Sequence, residues 1–279
     1  MRYYNWRTSR KVEKQYLQAL YKLLQIFRRF AKSSKGNPSS FTNKLNEFQQ
    51  SDAFKSYTDS IVRRMVLSAF NVQAKTWREA ARKSMKSHSV YSLLLKDINE
   101  GLRPSIEAQV ARNAGIISTL PLDVSVKVTK DIEKATFEGL RPKAIEQLII
   151  DKTSQHAGAS ARLIARTEVA KTQTALNRAR SERVGAKWYV WRTSEDGAVR
   201  DSHRLMNDVL VNWQDPPAPE ILAGEVPPKR NTYYHAGEIY NCRCYPEVLL
   251  DVDDIEWPHK VYRGGAIQKM SKKQFLEIF

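Results

Sequence analysis

The sequence predicts an α+β protein that is predominantly helical, with a basic helical N-terminal part and a small mixed α/β C-terminal domain. Three observations predict it. Apolar residues recur at helical spacing through the first 120 residues. The same stretch holds 22 Lys/Arg against 8 Asp/Glu, a net of +14, whereas residues 121–279 hold 24 against 22, a net of +2. Finally, both cysteines of the 279-residue chain fall in one late segment rich in aromatics, turn residues and histidines.

Each element follows from local pattern. Over residues 10–32, Val12, Tyr16, Leu17, Leu20, Leu23, Leu24, Phe27 and Phe30 fall on one helical face, with lysine and arginine filling much of the rest. Residues 33–38, Ser-Ser-Lys-Gly-Asn-Pro, break that pattern because Gly and Pro end helices. A second long helical pattern runs from Phe41 through Phe48, Ile61 and Val72 to about Met85, and a further helix covers residues 105–118. Residues 119–123 mark a boundary, since charge balance and periodicity change there. Short helices are expected over 130–139 and 143–153, a Gly/Ala/Ser hinge over 154–160, and a helix over 161–184 capped by Gly185, because glycine takes the left-handed conformation cheaply. Residues 187–193 alternate Trp188/Val190/Arg192 with Tyr189/Trp191 and read as a strand. Five prolines between 216 and 228 make a long irregular loop, and 238–250 reads as a second strand region. The expected organisation is a basic helical region over 1–120, a compact domain over 121–250 and a tail over 251–279.

A net charge of +16 calls for an anionic partner, most simply nucleic acid. The aromatics Trp6, Phe27, Phe30 and Trp77 are expected in the helical core. Arg28, Arg29, Arg63, Arg64, Lys75, Arg78, Arg82, Lys83 and Lys86 are the candidate contacts to phosphates of double-stranded DNA, made without sequence readout. The N-terminus lacks the apolar core of a signal peptide, and no apolar run approaches the roughly 20 residues that span a bilayer. No membrane partner and no small-molecule substrate are therefore expected. Two cysteines in this length are not a disulfide scaffold.

Chemistry concentrates between residues 164 and 244. Cys242 and Cys244 flank Arg243, and on a strand such a pair would point to one side. With His203 and His235 they could supply the four nitrogen and sulfur ligands of a structural Zn2+; alternatively both cysteines are small buried hydrophobes. Asp201 or Asp196 could orient His203, while Arg166 and Asn177, 11 residues apart on one helical face, could hold the His/Cys loops by hydrogen bonds. Ordinary solvated polar surfaces are the competing reading for both groups. A metal-dependent hydrolase or nuclease is the alternative function. It lacks the His-Glu-X-X-His and His-X-Glu…Pro-Cys-X-X-Cys patterns, a nucleophile elbow and a phosphate loop.

The ordered run Arg166-Thr-Glu168, Asn177, Gly185, Asp196-Gly, Arg200-Asp201-Ser-His203, His235-Ala-Gly and Cys242-Arg243-Cys244 resembles the Mu F-like head-morphogenesis family, minor head proteins of tailed bacteriophages, over residues 151–246. The resemblance implies a non-enzymatic virion protein assembled in the host cytoplasm. It would act near the portal on the capsid interior, with portal and capsid proteins as partners.

Overall fold

The computed structural model describes residues 5–83, 101–138, 140, 142–228 and 232–279. It is predominantly helical with one five-stranded sheet, so the α+β class holds. The chain divides into two compact units that do not follow the expected boundaries. One comprises residues 10–66 and 108–166; the other comprises 1–9, 67–107 and 167–279.

The helical unit contains α1 (Arg10–Ser33), α2 (Pro38–Gln50), α5 (Leu120–Phe137), and parts of α3 (Asp52–Lys83), α4 (Arg103–Ser118) and α6 (Pro142–Val184). In α1 the expected stripe is the buried one: Val12, Tyr16, Leu20, Leu23 and Phe27. Asn37 caps α2 by accepting from Ser40 N–H at 3.0 Å, and Pro38 takes the first helical turn, where its missing N–H costs nothing. The single pattern expected over 41–85 is two helices. Ser51 leaves the helical region (φ −69°, ψ 145°), and its hydroxyl accepts from Phe54 N–H to start α3. Phe48 closes the junction, its ring 5.1 Å from that of Phe54 and 5.6 Å from that of Phe30.

The short helices and hinge expected over 130–160 are also revised. Helix α5 starts at Leu120, and residues 154–160 run on inside α6, a single 43-residue helix. Small residues there serve packing: Ala157 and Ala161 are fully buried, and Ser154 returns its hydroxyl to Ile150 C=O rather than breaking the ladder.

In the other unit α6 ends as expected. Gly185 has φ +72° and Ala186 N–H reaches back to Ser181 C=O at 2.8 Å, a closure that needs a left-handed residue. The chain then enters the sheet. Its strands are β1 (Trp188–Thr193), β2 (Val209–Asn212), β3 (Cys244–Val248), β4 (His259–Arg263) and β5 (Ala266–Met270), in spatial order β3-β1-β2-β4-β5. Only β2 and β4 run parallel. The alternation in β1 puts Tyr189 and Trp191 on one buried face, with Trp77, Trp213 and Tyr234, and Trp188 and Val190 on the other, with Phe275. Between strands lie α7 (Asp201–Leu205) and α8 (Pro219–Leu222); after β5 comes α9 (Lys272–Leu276). Residues 251–279 are thus no tail, since they supply two strands and a capped helix. The apolar positions that place them there, Val261, Tyr262, Met270 and Phe275, are too short a run to stand out by periodicity.

Candidate metal centre and its supporting loops

Strands β1 and β3 pair antiparallel, with Thr193 opposite Cys244. That register sets Cys244 beside the point where the chain leaves β1 toward α7, the helix carrying His203. His203 Nδ1 lies 3.3 Å from Cys244 Sγ and 3.6 Å from Cys242 Sγ. The three ligand atoms fall within 4.8 Å of one another and all three residues are buried. A tetrahedral zinc with bonds of about 2.3 Å to sulfur and 2.0–2.1 Å to nitrogen has ligand–ligand edges of roughly 3.5–3.8 Å. The two nitrogen–sulfur separations are close to such an edge.

The sulfurs converge for a reason other than the expected one. Only Cys244 is on the strand; Cys242 precedes it in a turn that Asn241 forms with φ +53°. Cys244 N–H points back at Cys242 Sγ, 3.4 Å away. Cys244 holds the Cys242 thiol well below its ordinary range, while Cys242 and burial push Cys244 up.

His235 is outside this group, so the four-ligand set expected from sequence becomes three. Its Nδ1 is 3.1 Å from Tyr189 Oη, and its ring stacks edge-on against Trp213. Asp201 does not orient His203 either: its side chain is 88% exposed and lies 3.7 Å from Arg204 Nε. The far side of the His203 ring faces the interior, where Nε2 is 2.9 Å from Tyr234 Oη, which bonds both carboxylate oxygens of Glu220 at 2.7 Å. Burial and then Glu220 keep the Tyr234 phenol far above its usual range, so it stays protonated.

The remaining motif residues staple loops. Arg243 pairs with Asp196 at 2.5 Å, and Ser194 N–H donates to Arg243 C=O, tying the end of β1 to the cysteine turn. Arg200 donates to Tyr240 C=O at 3.0 Å and lies over the Tyr240 ring. Arg166 belongs to the helical unit and pairs with Glu13 at 3.5 Å, while Glu168 is buried on α6. Asn177 accepts from Trp77 Nε1 at 2.9 Å. Other α6 residues take the part expected of Arg166 and Asn177. Thr167 Oγ1 accepts from Asn241 N–H at 2.9 Å, and Thr174 Oγ1 donates to Ala236 C=O at 2.7 Å. They are seven residues, two turns, apart, with Ala170 between, so one narrow face of small residues meets the His/Cys loops. That spacing was the available signal. Glu220, inside the proline-rich loop, offered none.

Gly237 lies against this face with φ +88°; a Cβ there would sit 2.5 Å from Thr174 Oγ1 and 3.2 Å from Cys244 C=O. Gly237→Ala combines a left-handed backbone with overpacking, and is expected to destabilise by about 2–3 kcal/mol. Urea unfolding indistinguishable from the parent chain would refute this.

Of the candidate DNA contacts, Arg28, Arg29, Arg63 and Arg64 lie in the helical unit, and Lys75, Arg78 and Arg82 in the sheet-bearing unit. They are therefore divided between the two units. Arg28, Arg29, Arg64, Lys75 and Arg82 are exposed, whereas Arg63 is half-buried near Asp59 and Arg78 is half-buried. The Lys83 side chain and Lys86 lie outside the described residues. Among the described residues no helix is long and apolar enough to cross a membrane.

Comparison with known proteins then bears on the segment that holds this site. Residues 126–246 match the family described as Phage Mu protein F like protein. The matched segment ends just past the cysteines and begins inside α5, earlier than the motif run alone indicated. The chain is also 28% identical over 207 residues to an uncharacterized protein of Haemophilus influenzae, covering 70% of this chain and 42% of that protein. It therefore spans less than half the length of this curated relative. No solved structure matches.

Proposed function

We propose that this chain is a head-morphogenesis protein of a tailed phage or prophage: a non-enzymatic minor head component of the virion, acting near the portal and touching packaged DNA. The observation that carries the reading is the match of residues 126–246 to the Phage Mu protein F like family. Portal and capsid proteins are its proposed protein partners.

Charge supports the DNA contact and refines its place. The helical unit holds 21 Lys/Arg against 10 Asp/Glu, a net of +11, and residues 167–279 hold 16 against 16. Along α1, Lys11, Lys14, Lys22, Arg29 and Lys32, with Gln18 and Gln25 between them, recur at spacings of three and four and are all exposed. The one acid of α1, Glu13, faces elsewhere and pairs with Arg166. Over 21 residues at about 1.5 Å rise, that stripe is roughly 30 Å long, close to one turn of duplex, and it offers a phosphate backbone charge without base readout.

His203, Cys242 and Cys244 would hold a zinc ion whose contribution is folding energy. Every residue of that cluster is buried, which suits a structural site and gives a substrate no approach; this disfavours the hydrolase alternative.

The test is binding of the full chain to random-sequence duplex by fluorescence anisotropy. Affinity is expected to fall roughly a thousandfold between 50 and 200 mM salt if six or more phosphates are contacted. Reversing Lys11, Lys14, Lys22, Arg29 and Lys32 to glutamate should remove most binding at either salt. Salt-independent binding, or a reversed chain within twofold of the parent, would sink the DNA contact.

A further inference from the structure

Glu220, Tyr234 and His203 form an unbranched chain of buried polar groups that ends on the thiol pair. They come from α8, from the stretch following residue 231 and from α7, and each is at most 5% exposed. The identities of the groups dictate the polarity of the chain. A carboxylate only accepts, and both Glu220 oxygens are 2.7 Å from Tyr234 Oη, so the phenol O–H is donated to Glu220. The phenol oxygen then has only lone pairs to offer, and it must receive the His203 Nε2–H across 2.9 Å. A neutral imidazole carries one ring proton. With that proton on Nε2, Nδ1 presents a lone pair, 3.3 Å from Cys244 Sγ and 3.6 Å from Cys242 Sγ. Running the chain the other way would turn the phenol proton toward His203 and strip a buried carboxylate of that donor, the costlier arrangement in a dry interior.

We propose that Glu220 and Tyr234 are positioning residues that fix His203 as its Nε2–H tautomer and so aim the Nδ1 lone pair at the space between Cys242 and Cys244. The tautomer is a property of the protein with or without metal. Its consequence for metal affinity rests on the zinc reading above. Partners outside the ligand shell that orient a ligating histidine are commonly carboxylates; here a phenol is interposed, and the carboxylate acts through it.

Two measurements on the full chain separate these layers. With 15N-labelled histidine, two-bond correlations should give His203 a protonated Nε2 and an unprotonated Nδ1. Tyr234→Phe should mix the tautomers. A dominant Nδ1–H form, or an unchanged pattern in Tyr234→Phe, overturns the proposal. Titration with Co(II) is the second measurement. Tyr234→Phe and Glu220→Gln should weaken binding about 10–100-fold, while Cys244→Ser removes the sulfur–cobalt absorption. Parent-like affinity in both relay variants counts against the proposal. A parent chain that binds no Co(II) ends the zinc reading instead and leaves the tautomer measurement to decide this one.

Discussion

Replacing Trp77 by alanine is expected to cost the sheet-bearing unit about 3–5 kcal/mol, the range for deleting a fully buried tryptophan. The ring has no exposed surface and meets Trp6 edge-on at 5.4 Å between centroids. Its Nε1–H donates to Asn177 Oδ1, a group 100 residues away on α6 that is itself 1% exposed. The substitution thus opens a cavity and removes the donor from a buried amide, and the second effect is not independent of the first. At about 2–4 °C per kcal/mol the thermal midpoint should fall on the order of 10 °C. Trp77→Phe separates the contributions, since it keeps most of the ring volume and loses only the N–H; it should cost about 1–3 kcal/mol. An alanine variant melting within a degree or two of the parent would mean that Trp77 does not anchor this core.

Trp77 also marks where sequence reasoning reaches and where it stops. Its place in a core was legible, because it sits on the apolar face of a helical repeat. Its partner was not. An 11-residue spacing groups Asn177 with Arg166, yet helical spacing states only that two residues share a face, not what that face meets. The same limit explains the division of the chain. The unit boundaries fall inside α3, α4 and α6, so composition, which is read along the chain, placed a boundary at residues 119–123 where the fold has none. Local signals fared better. The alternation of β1, the Gly185 cap and the stop before Pro38 depend on neighbours in sequence, and each holds.

In the candidate centre, residue type was informative and geometry was not. Both cysteines and His203 converge, whereas His235, the same residue type in the same segment, is directed to Tyr189 and Trp213. The loop path differs at His235: Gly237 at φ +88° turns the backbone two residues after it, and Thr174 holds the Ala236 carbonyl. Thiol and imidazole patterns carry no record of such a turn. Glu220 and Tyr234 were invisible for a related reason, because their bond joins two points of irregular chain that no periodicity relates.

Displaced from the cluster, His235 should instead govern acid stability. It is 2% exposed, and burial, with Arg178 adding to it, lowers its pKa from 6.5 to about 4. The sign follows from which form the fold favours. The interior favours the neutral ring, so the unfolded chain takes up a proton at a higher pH than the folded one. The stabilisation is complete above the unfolded value of 6.5 and is lost as pH falls toward the folded value of about 4. Across that window the loss amounts to about 3 kcal/mol, at 1.36 kcal/mol per unit. Carboxylates such as Asp196, which Ala198 N–H and Arg243 hold low against the burial that opposes them, add their own loss further into acid. The readout is therefore a difference. His235→Phe keeps a ring against Trp213 and removes the titrating group, so it should be less stable than the parent near pH 7, having left Tyr189 without its Nδ1 partner. It should then lose less stability on acidification, and the two curves should converge or cross between pH 6.5 and 4. Curves that stay parallel from pH 7 to 4, or a His235 resonance titrating near 6.5, would show that the ring reaches solvent and that its burial does not set the acid limit of this unit.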